Sequence, residues 1–180
     1  MSVARRRAIG ILLAIAIFAI DQWVKWQMLT TLRLRDVRLI EVLPFFDLRW
    51  TENPGISLGM LTAETAEMRW LLVALTAAIA LGVLIWLLRE KAMADIAGLA
   101  LVLGGALGNI RDRIGRGYVI DYADLHFGSF RPFMIFNVAD AAITIGVLII
   151  LARSLLSRDK PKPAAEAAPA PRGFADALRR

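Results

Sequence analysis

The 180 residues contain no cysteine and a single histidine, His126. The first absence excludes disulfides, thiolate nucleophiles and cysteine-ligated zinc. The second excludes a polyhistidine metal centre. Charge is also scarce: 21% of residues are charged against 58% hydrophobic, and a mean hydropathy of +0.58 is high for a soluble protein. The net charge of +6 could suit nucleic acid, but the basic residues mostly flank apolar runs. A membrane surface selects that pattern, so an integral membrane protein is expected and nucleic acid is not.

What is present is a set of apolar runs. Trp70–Leu88 has 19 residues without a charge, bracketed by Arg69 and Arg89, and a span needs ~20. Ile96–Ile110 is a second uncharged run, with Asn109 near its end. Phe133–Ala152 carries Asn137 and Asp140 near its start, and Ala8–Leu29 carries Asp21 and Lys25 in its second half. The N-terminus imitates a signal peptide, with Arg5–Arg7 ahead of an apolar stretch. No small-x-small site follows, however, and the pattern continues through Trp23, Trp26 and Leu29, so a retained helix is expected. Four crossings put both termini on one side. Arginines occur on both sides of the chain's loops; since the first helix usually dominates, the termini are assigned to the cytoplasm.

Two loops then face outward, residues 30–68 and 112–132. In the first, Phe46, Leu48 and Trp50 alternate with Asp47, Arg49 and Thr51, the period-two signature of a half-buried strand; Tyr118–Leu125 resembles a second strand. Residues 1–157 form one membrane domain on this reading. Residues 158–180 hold four of the seven prolines among alanines and charges, and read as a disordered cytoplasmic tail.

A charge near the bilayer is costly, ~3 kcal/mol even on insertion-derived scales, so polar groups there carry information. Helical spacing puts Gly105, Asn109, Asp112 and Arg113 on one face. Gly104 and Gly108 form a small-xxx-small pair suited to close packing. Asn137 precedes Asp140 by three residues, as an N-cap precedes its first-turn acid. Asp140 also lies between uncharged stretches on both sides, where a simple cap would more cheaply sit in water. Asp121 lies among Val119, Ile120 and Tyr122 in the outward loop, with Asp124 close by; spacing alone does not choose between these two acids. Asp140 and one loop acid can meet at the outer boundary. Two carboxylates in a low-dielectric site share a proton, one accepting from water while the other polarises a carbonyl. This is the acid–base arrangement of aspartic peptidases.

Other patterns carry less. Gly55-Ile56-Ser57-Leu58-Gly59 matches the G-x-S-x-G elbow, but the chain has no room for the large α/β sheet that motif needs. His126 reads as a loop residue. Asp21 and Lys25 are spaced i, i+4 in the order that favours an intrahelical ion pair. A proton-coupled transporter would spread its acids across membrane depth, whereas these cluster at one level; a lipid-binding scaffold leaves the acid pair unexplained.

The chain resembles the lipoprotein signal peptidases, or signal peptidase II. The resemblance rests on Asp21-Gln22-Trp23-Val24-Lys25, Asn53-Pro54-Gly55, Gly104 to Arg113, Val119-Ile120-Asp121-Tyr122 and Phe136-Asn137-Val138-Ala139-Asp140, in order across about residues 8–155. It implies an all-α membrane fold: four transmembrane helices, a small periplasmic β-cradle and a short periplasmic amphipathic helix. It also implies that Asp121 and Asp140 are the catalytic dyad, that Asn53, Gly55, Gly105, Asn109, Arg113 and Asn137 line the substrate site, and that Asp21 and Lys25 are a structural polar pair. The implied substrate is a diacylglyceryl-modified prolipoprotein cut at the periplasmic face of the bacterial inner membrane, N-terminal to the lipidated cysteine. The implied enzyme is a monomer amid membrane lipids, needs no metal or other cofactor, and is sensitive to globomycin-type inhibitors. Leu58 departs from the phenylalanine common in the family, which bears on the packing of that loop.

Overall fold

The structure is a computed structural model that describes residues 1–55 and 66–157. The G-x-S-x-G segment beyond Gly55, Leu58 and the tail at 158–180 lie outside the described residues. Four long helices form the body: α1 (Val3–Thr30), α3 (Ala66–Arg89), α4 (Met93–Arg116) and α5 (Val138–Ser157). A one-turn helix, α2 (Leu34–Val37), follows α1, then the hairpin β1 (Leu39–Leu43) and β2 (Phe46–Asn53); β3 (Val119–Leu125) lies between α4 and α5. The strands pair antiparallel in the order β1-β2-β3.

Three of the helices, α3, α4 and α5, are long and apolar enough to cross a membrane. The fourth, α1, is longer than any of them at 28 residues but carries Arg5–Arg7, Asp21 and Lys25. Asp21 and Lys25 are fully buried, so its charges in mid-helix face protein, not the outside. The run Phe133–Ala152 is helical only from Val138; the five residues before it are not. Sequence pattern located β2 and β3 but gave no sign of β1, whose residues run from half-buried to exposed. The resemblance assigns no residues to its short amphipathic helix; α2, which buries Leu34 and exposes Val37, is the one short helix among the described residues.

The central helix is α4, packed on α1, α3 and α5. Small residues allow the close crossings. A Cβ on Gly98 would stand 2.9 Å from the Gly146 carbonyl of α5, and one on Gly146 would stand 2.5 Å from the Gly98 carbonyl. Lower on α4, Gly108 leaves the space that the Asp21 carboxylate fills. At the sheet-distal end the N-terminal arginines satisfy carbonyls that end α3: Arg7 donates through Nε to Glu90 O at 2.9 Å and through Nη2 to Arg89 O at 2.9 Å, and Arg6 donates to Lys91 O at 3.0 Å. Arg89 O is one of the orphan acceptors that any helix C-terminus leaves, and Glu90 O and Lys91 O lie just beyond it. Arg153 on α5 meets Asp95 on α4 at 3.1 Å near the same end.

At the other end, α4 stops at Gly117, whose φ of 88° is the left-handed conformation that glycine adopts without strain. The chain turns straight into β3. That strand is an edge, but Phe136 covers it: Ala123 N–H donates to Phe136 O at 2.8 Å and Phe136 N–H donates back to Ala123 O at 3.1 Å. The sheet buries Trp50, Ile120, Tyr122 and Ala123 together with Met28 of α1 and Leu34 of α2.

Candidate active site

The bridge between Phe136 and Ala123 places the next residue, Asn137, beside Asp121. Asn137 caps α5 reciprocally: its Oδ1 accepts from Asp140 N–H at 2.9 Å, while its own N–H donates to Asp140 Oδ2 at 3.2 Å. The Asn-x-x-Asp spacing therefore does form an N-cap with a first-turn partner. The same side chain reaches the opposite way. Its Nδ2 donates to Asp121 Oδ1 at 2.6 Å and to Ile120 O at 3.2 Å. One fully buried asparagine thus touches both acids.

The remaining oxygen of each carboxylate has its own donor. Asn53 stands diagonally across the β2–β3 ladder from Asp121, since it pairs with Val119 while Asp121 pairs with Thr51. Its Nδ2 donates to Asp121 Oδ2 at 3.0 Å. Gly55 N–H, 3.2 Å from Asn53 Oδ1, fixes which way that amide points. On the helix side, Asn109 of α4 donates through Nδ2 to Asp140 Oδ1 at 2.8 Å. Four N–H groups are therefore arranged around two acids.

Asp121 is 2% exposed. Burial raises its pKa to about 6, the negative charge of Asp140 adds to the rise, and the hydrogen bonds from Asn53 and Asn137 oppose it. Asp124, the competing loop acid, is held elsewhere: Arg49 Nε lies 3.0 Å and Arg131 Nε 3.2 Å from its Oδ2. The odd offset between positions 121 and 124 sends the two side chains to opposite faces of β3. His126 is also apart from this cluster, with Nε2 3.0 Å from Asp47 Oδ2.

Beneath the acids lies a second polar layer. Lys25 Nζ, with no exposed surface, stands 2.9 Å from Asp21 Oδ2, 2.8 Å from Asp112 Oδ2 and 3.1 Å from Asn109 Oδ1. Asp21 in turn accepts from Ala139 N–H at 3.0 Å, and Asp112 from Arg116 Nη1 at 2.7 Å. The expected Asp21–Lys25 pair is present, but it has two further members that sequence reasoning left without a role. Asp112 was visible only as part of a polar helix face, and Gln22, which donates to Asp21 Oδ2 at 3.1 Å and Gly108 O at 3.2 Å, only as a neighbour in a motif.

Gly105 packs against Ala139 and Ile143 of α5, one residue from Asp140. Arg113 sits within the fields of Asp140, Asp121 and Asp112. Its Nε is buried without a hydrogen-bond partner, and it makes no ion pair within 4.0 Å among the described residues. From Asp140 an apolar groove of about 300 Å³ runs along α5, lined by Leu125, Phe133, Met134, Phe136, Thr144 and Ile145 among others. Among the described residues, no cluster of His, Asp or Glu has the arrangement of a metal site.

Residues 13–156 match the family model of signal peptidase (SPase) II. Two relatives named lipoprotein signal peptidase are 52% identical over 158 residues, from Rhizorhabdus wittichii, and 54% identical over 151 residues, from Sphingopyxis alaskensis. The alignments cover 88% and 84% of this chain and 92% and 87% of those proteins. A solved structure described as a bacterial membrane enzyme, determined by the in meso method, superposes with a TM-score of 0.67 at 29% identity, covering 88% of this chain and 95% of its own.

Proposed function

The chain belongs to the signal peptidase II family, membrane peptidases that remove signal peptides from prolipoproteins, and we propose that it does so as an aspartic endopeptidase with Asp121 and Asp140 as its dyad. The observation that carries this reading is Asn137, which donates to Asp121 Oδ1 at 2.6 Å through its side chain and to Asp140 Oδ2 at 3.2 Å through its backbone. The two acids come from consecutive elements, β3 and α5, share one buried donor residue, and stand at one end of the bundle.

In the mechanism the dyad holds one proton and one water. The ionised carboxylate takes a proton as the water attacks the scissile carbonyl carbon. Its protonated partner hydrogen-bonds the carbonyl oxygen and then delivers its proton to the leaving amide nitrogen. Charge develops on the carbonyl oxygen in the transition state. Arg113, which makes no ion pair among the described residues, and the amides of Asn53 and Asn109 would stabilise it or hold the peptide backbone, with Gly55 and Asn137 supporting them and Gly105 setting the helix approach. The chemistry uses no metal or other cofactor.

The substrate is a diacylglyceryl-modified prolipoprotein, cut N-terminal to the lipidated cysteine. The groove beside Asp140 is apolar along its length, as a site for a lipid-bearing chain must be. Four crossings follow if α1 joins the three apolar helices: its buried Asp21 and Lys25 cost the bilayer nothing, and Trp23 and Trp26 are exposed near its sheet-side end. Trp70 of α3 is exposed at that same end, and Trp86 at the other, as aromatic belts at two interfaces would be. With Arg5–Arg7 inside, both termini are cytoplasmic and the dyad sits at the periplasmic face of the inner membrane. There the protein works as a monomer among lipids, and cyclic peptides of the globomycin type would occupy the same cleft.

The test is cleavage of a synthetic lipopeptide by purified protein reconstituted in lipid. Asp121→Asn and Asp140→Asn should each reduce turnover by at least 1000-fold, roughly the loss of both nucleophile activation and proton delivery, while Asp124→Asn keeps most of it. Turnover by either dyad variant would remove the assignment.

A further inference from the structure

A lysine with no exposed surface, on a helix apart from both acids, has no part in the chemistry described above, yet its contacts lead directly into it. Lys25 Nζ lies 3.1 Å from Asn109 Oδ1, and the other end of that amide, Nδ2, lies 2.8 Å from Asp140 Oδ1. We propose that Lys25 is a positioning residue for the dyad: its ammonium locks the Asn109 amide in the one orientation that donates to Asp140, and its charge offsets Asp21 and Asp112 beneath the site. This rests on reading Asp121 and Asp140 as the catalytic pair.

The lock follows from donor and acceptor inventory. An ammonium only donates and an ionised carboxylate only accepts. Turned over, Asn109 would set its NH₂ against Lys25 and its carbonyl oxygen against Asp140, two like-signed contacts at buried sites in place of two hydrogen bonds. Without Lys25 that discrimination halves, and Asn137 Nδ2, 3.3 Å from Asn109 Oδ1, would be the remaining donor on that side. Asn53 shows the same device on the other acid, where Gly55 N–H at 3.2 Å takes the role that the ammonium takes here.

The charge argument is separate. The groups facing the dyad are Asp21 and Lys25 from α1, Asp112 and Arg113 from α4, and Tyr122 on β3. With Lys25 in place, Asp21 and Asp112 are paired at 2.9 and 2.8 Å, and Arg116 is a second partner for Asp112 at 2.7 Å. Removal of the ammonium leaves Asp21 buried without a cation and loosens the layer on which Asn109 rests.

Lys25→Met alone strands a buried acid and risks the fold, so the paired variant Asp21→Asn/Lys25→Met carries the orientation test: it removes one charge of each sign and leaves Asp112 with Arg116. Both are measured in lipid, on the full chain, against a fluorogenic diacylglyceryl lipopeptide, with melting temperature recorded alongside. The paired variant should melt near wild type, keep KM within about twofold and lose at least tenfold in kcat. In the folded fraction of Lys25→Met, kcat should fall at least tenfold as well. A paired variant that folds and turns over like wild type overturns the proposal, as does a Lys25→Met protein with wild-type kcat per folded molecule, because a merely structural lysine changes the amount of folded enzyme and not the rate of each molecule. Turnover by Asp121→Asn or Asp140→Asn would instead sink the catalytic reading beneath it, whatever Lys25 does.

Discussion

Asp121 is the residue whose environment is most at odds with water. A carboxyl at about 6, well above the ordinary 3.8, means that ionising it in the folded state costs on the order of 3 kcal/mol. That penalty is fully present above about pH 6 and disappears below about pH 4, where folded and unfolded chains both bind the proton. Asp121→Asn should accordingly melt higher than wild type at pH 8, by several degrees, with the advantage gone at pH 4; part of the gain is lost because an amide NH₂ now faces Asn53 or Asn137. Thermal unfolding in detergent at the two pH values checks this, and equal or lower melting at pH 8 contradicts it. If Asp121 is the protonated member of the proposed dyad, kcat/KM should show an alkaline limb near pH 6, since the proton for the leaving nitrogen would be lost as pH rises through that value. A profile flat from pH 5 to 8 would exclude proton sharing by this pair. At this scale the sequence was readable in part. Asp140 and Asn137 announced themselves by sitting as polar residues against an apolar run, but the choice of Asp121 over Asp124 needed the family resemblance, because strand neighbours are separated only by which face they take and by which arginines lie across the ladder.

At the scale of elements, α5 is organised by its first turn. Serine caps a helix about as well as asparagine but has no second donor that reaches β3. Asn137→Ser should therefore keep the cap but strand buried acceptors, at a cost of about 1–3 kcal/mol, while turnover per folded molecule falls at least tenfold; unchanged turnover per folded molecule would mean that the residue only caps and packs. The crossing of α1 over α4 is equally specific. Gly108→Ala would drive a methyl into the Asp21 carboxylate and break a buried ion pair, a loss of about 3 kcal/mol, measurable as a drop in melting temperature that Gly82→Ala on α3, with open space around it, should not share. Long apolar runs gave three helices directly, alternation gave β2, and β3 showed only as a strand-like stretch at Tyr118–Leu125. β1 escaped because an edge strand with exposed side chains need not alternate, and the boundary at Val138 escaped because Phe133–Phe136 are apolar for another reason: Phe136 covers the open edge of β3, and Phe133 and Met134 line the groove. Hydropathy cannot distinguish residues that face lipid from residues that close a sheet.

The whole molecule has two ends of different character, arginine-to-carbonyl contacts at one and the sheet with its acids at the other. The absence of native cysteine makes the orientation directly measurable. Single cysteines at Ser2 and Ser129, both exposed, should behave oppositely toward a membrane-impermeant maleimide applied to intact spheroplasts: Ser129→Cys labelled, Ser2→Cys protected until lysis. Labelling of both, or of position 2 alone, would overturn the assignment of the termini to the cytoplasm.

Asp21, on the first long helix, accepts a hydrogen bond from Ala139 on the last described one, and the pair of acids is completed only when that helix docks. A chain still being synthesised, with α5 not yet made, therefore holds Asp121 alone, and if the two acids are the proposed dyad it should cleave nothing. On the proposed reading, competence arrives only with the element that carries Asp140.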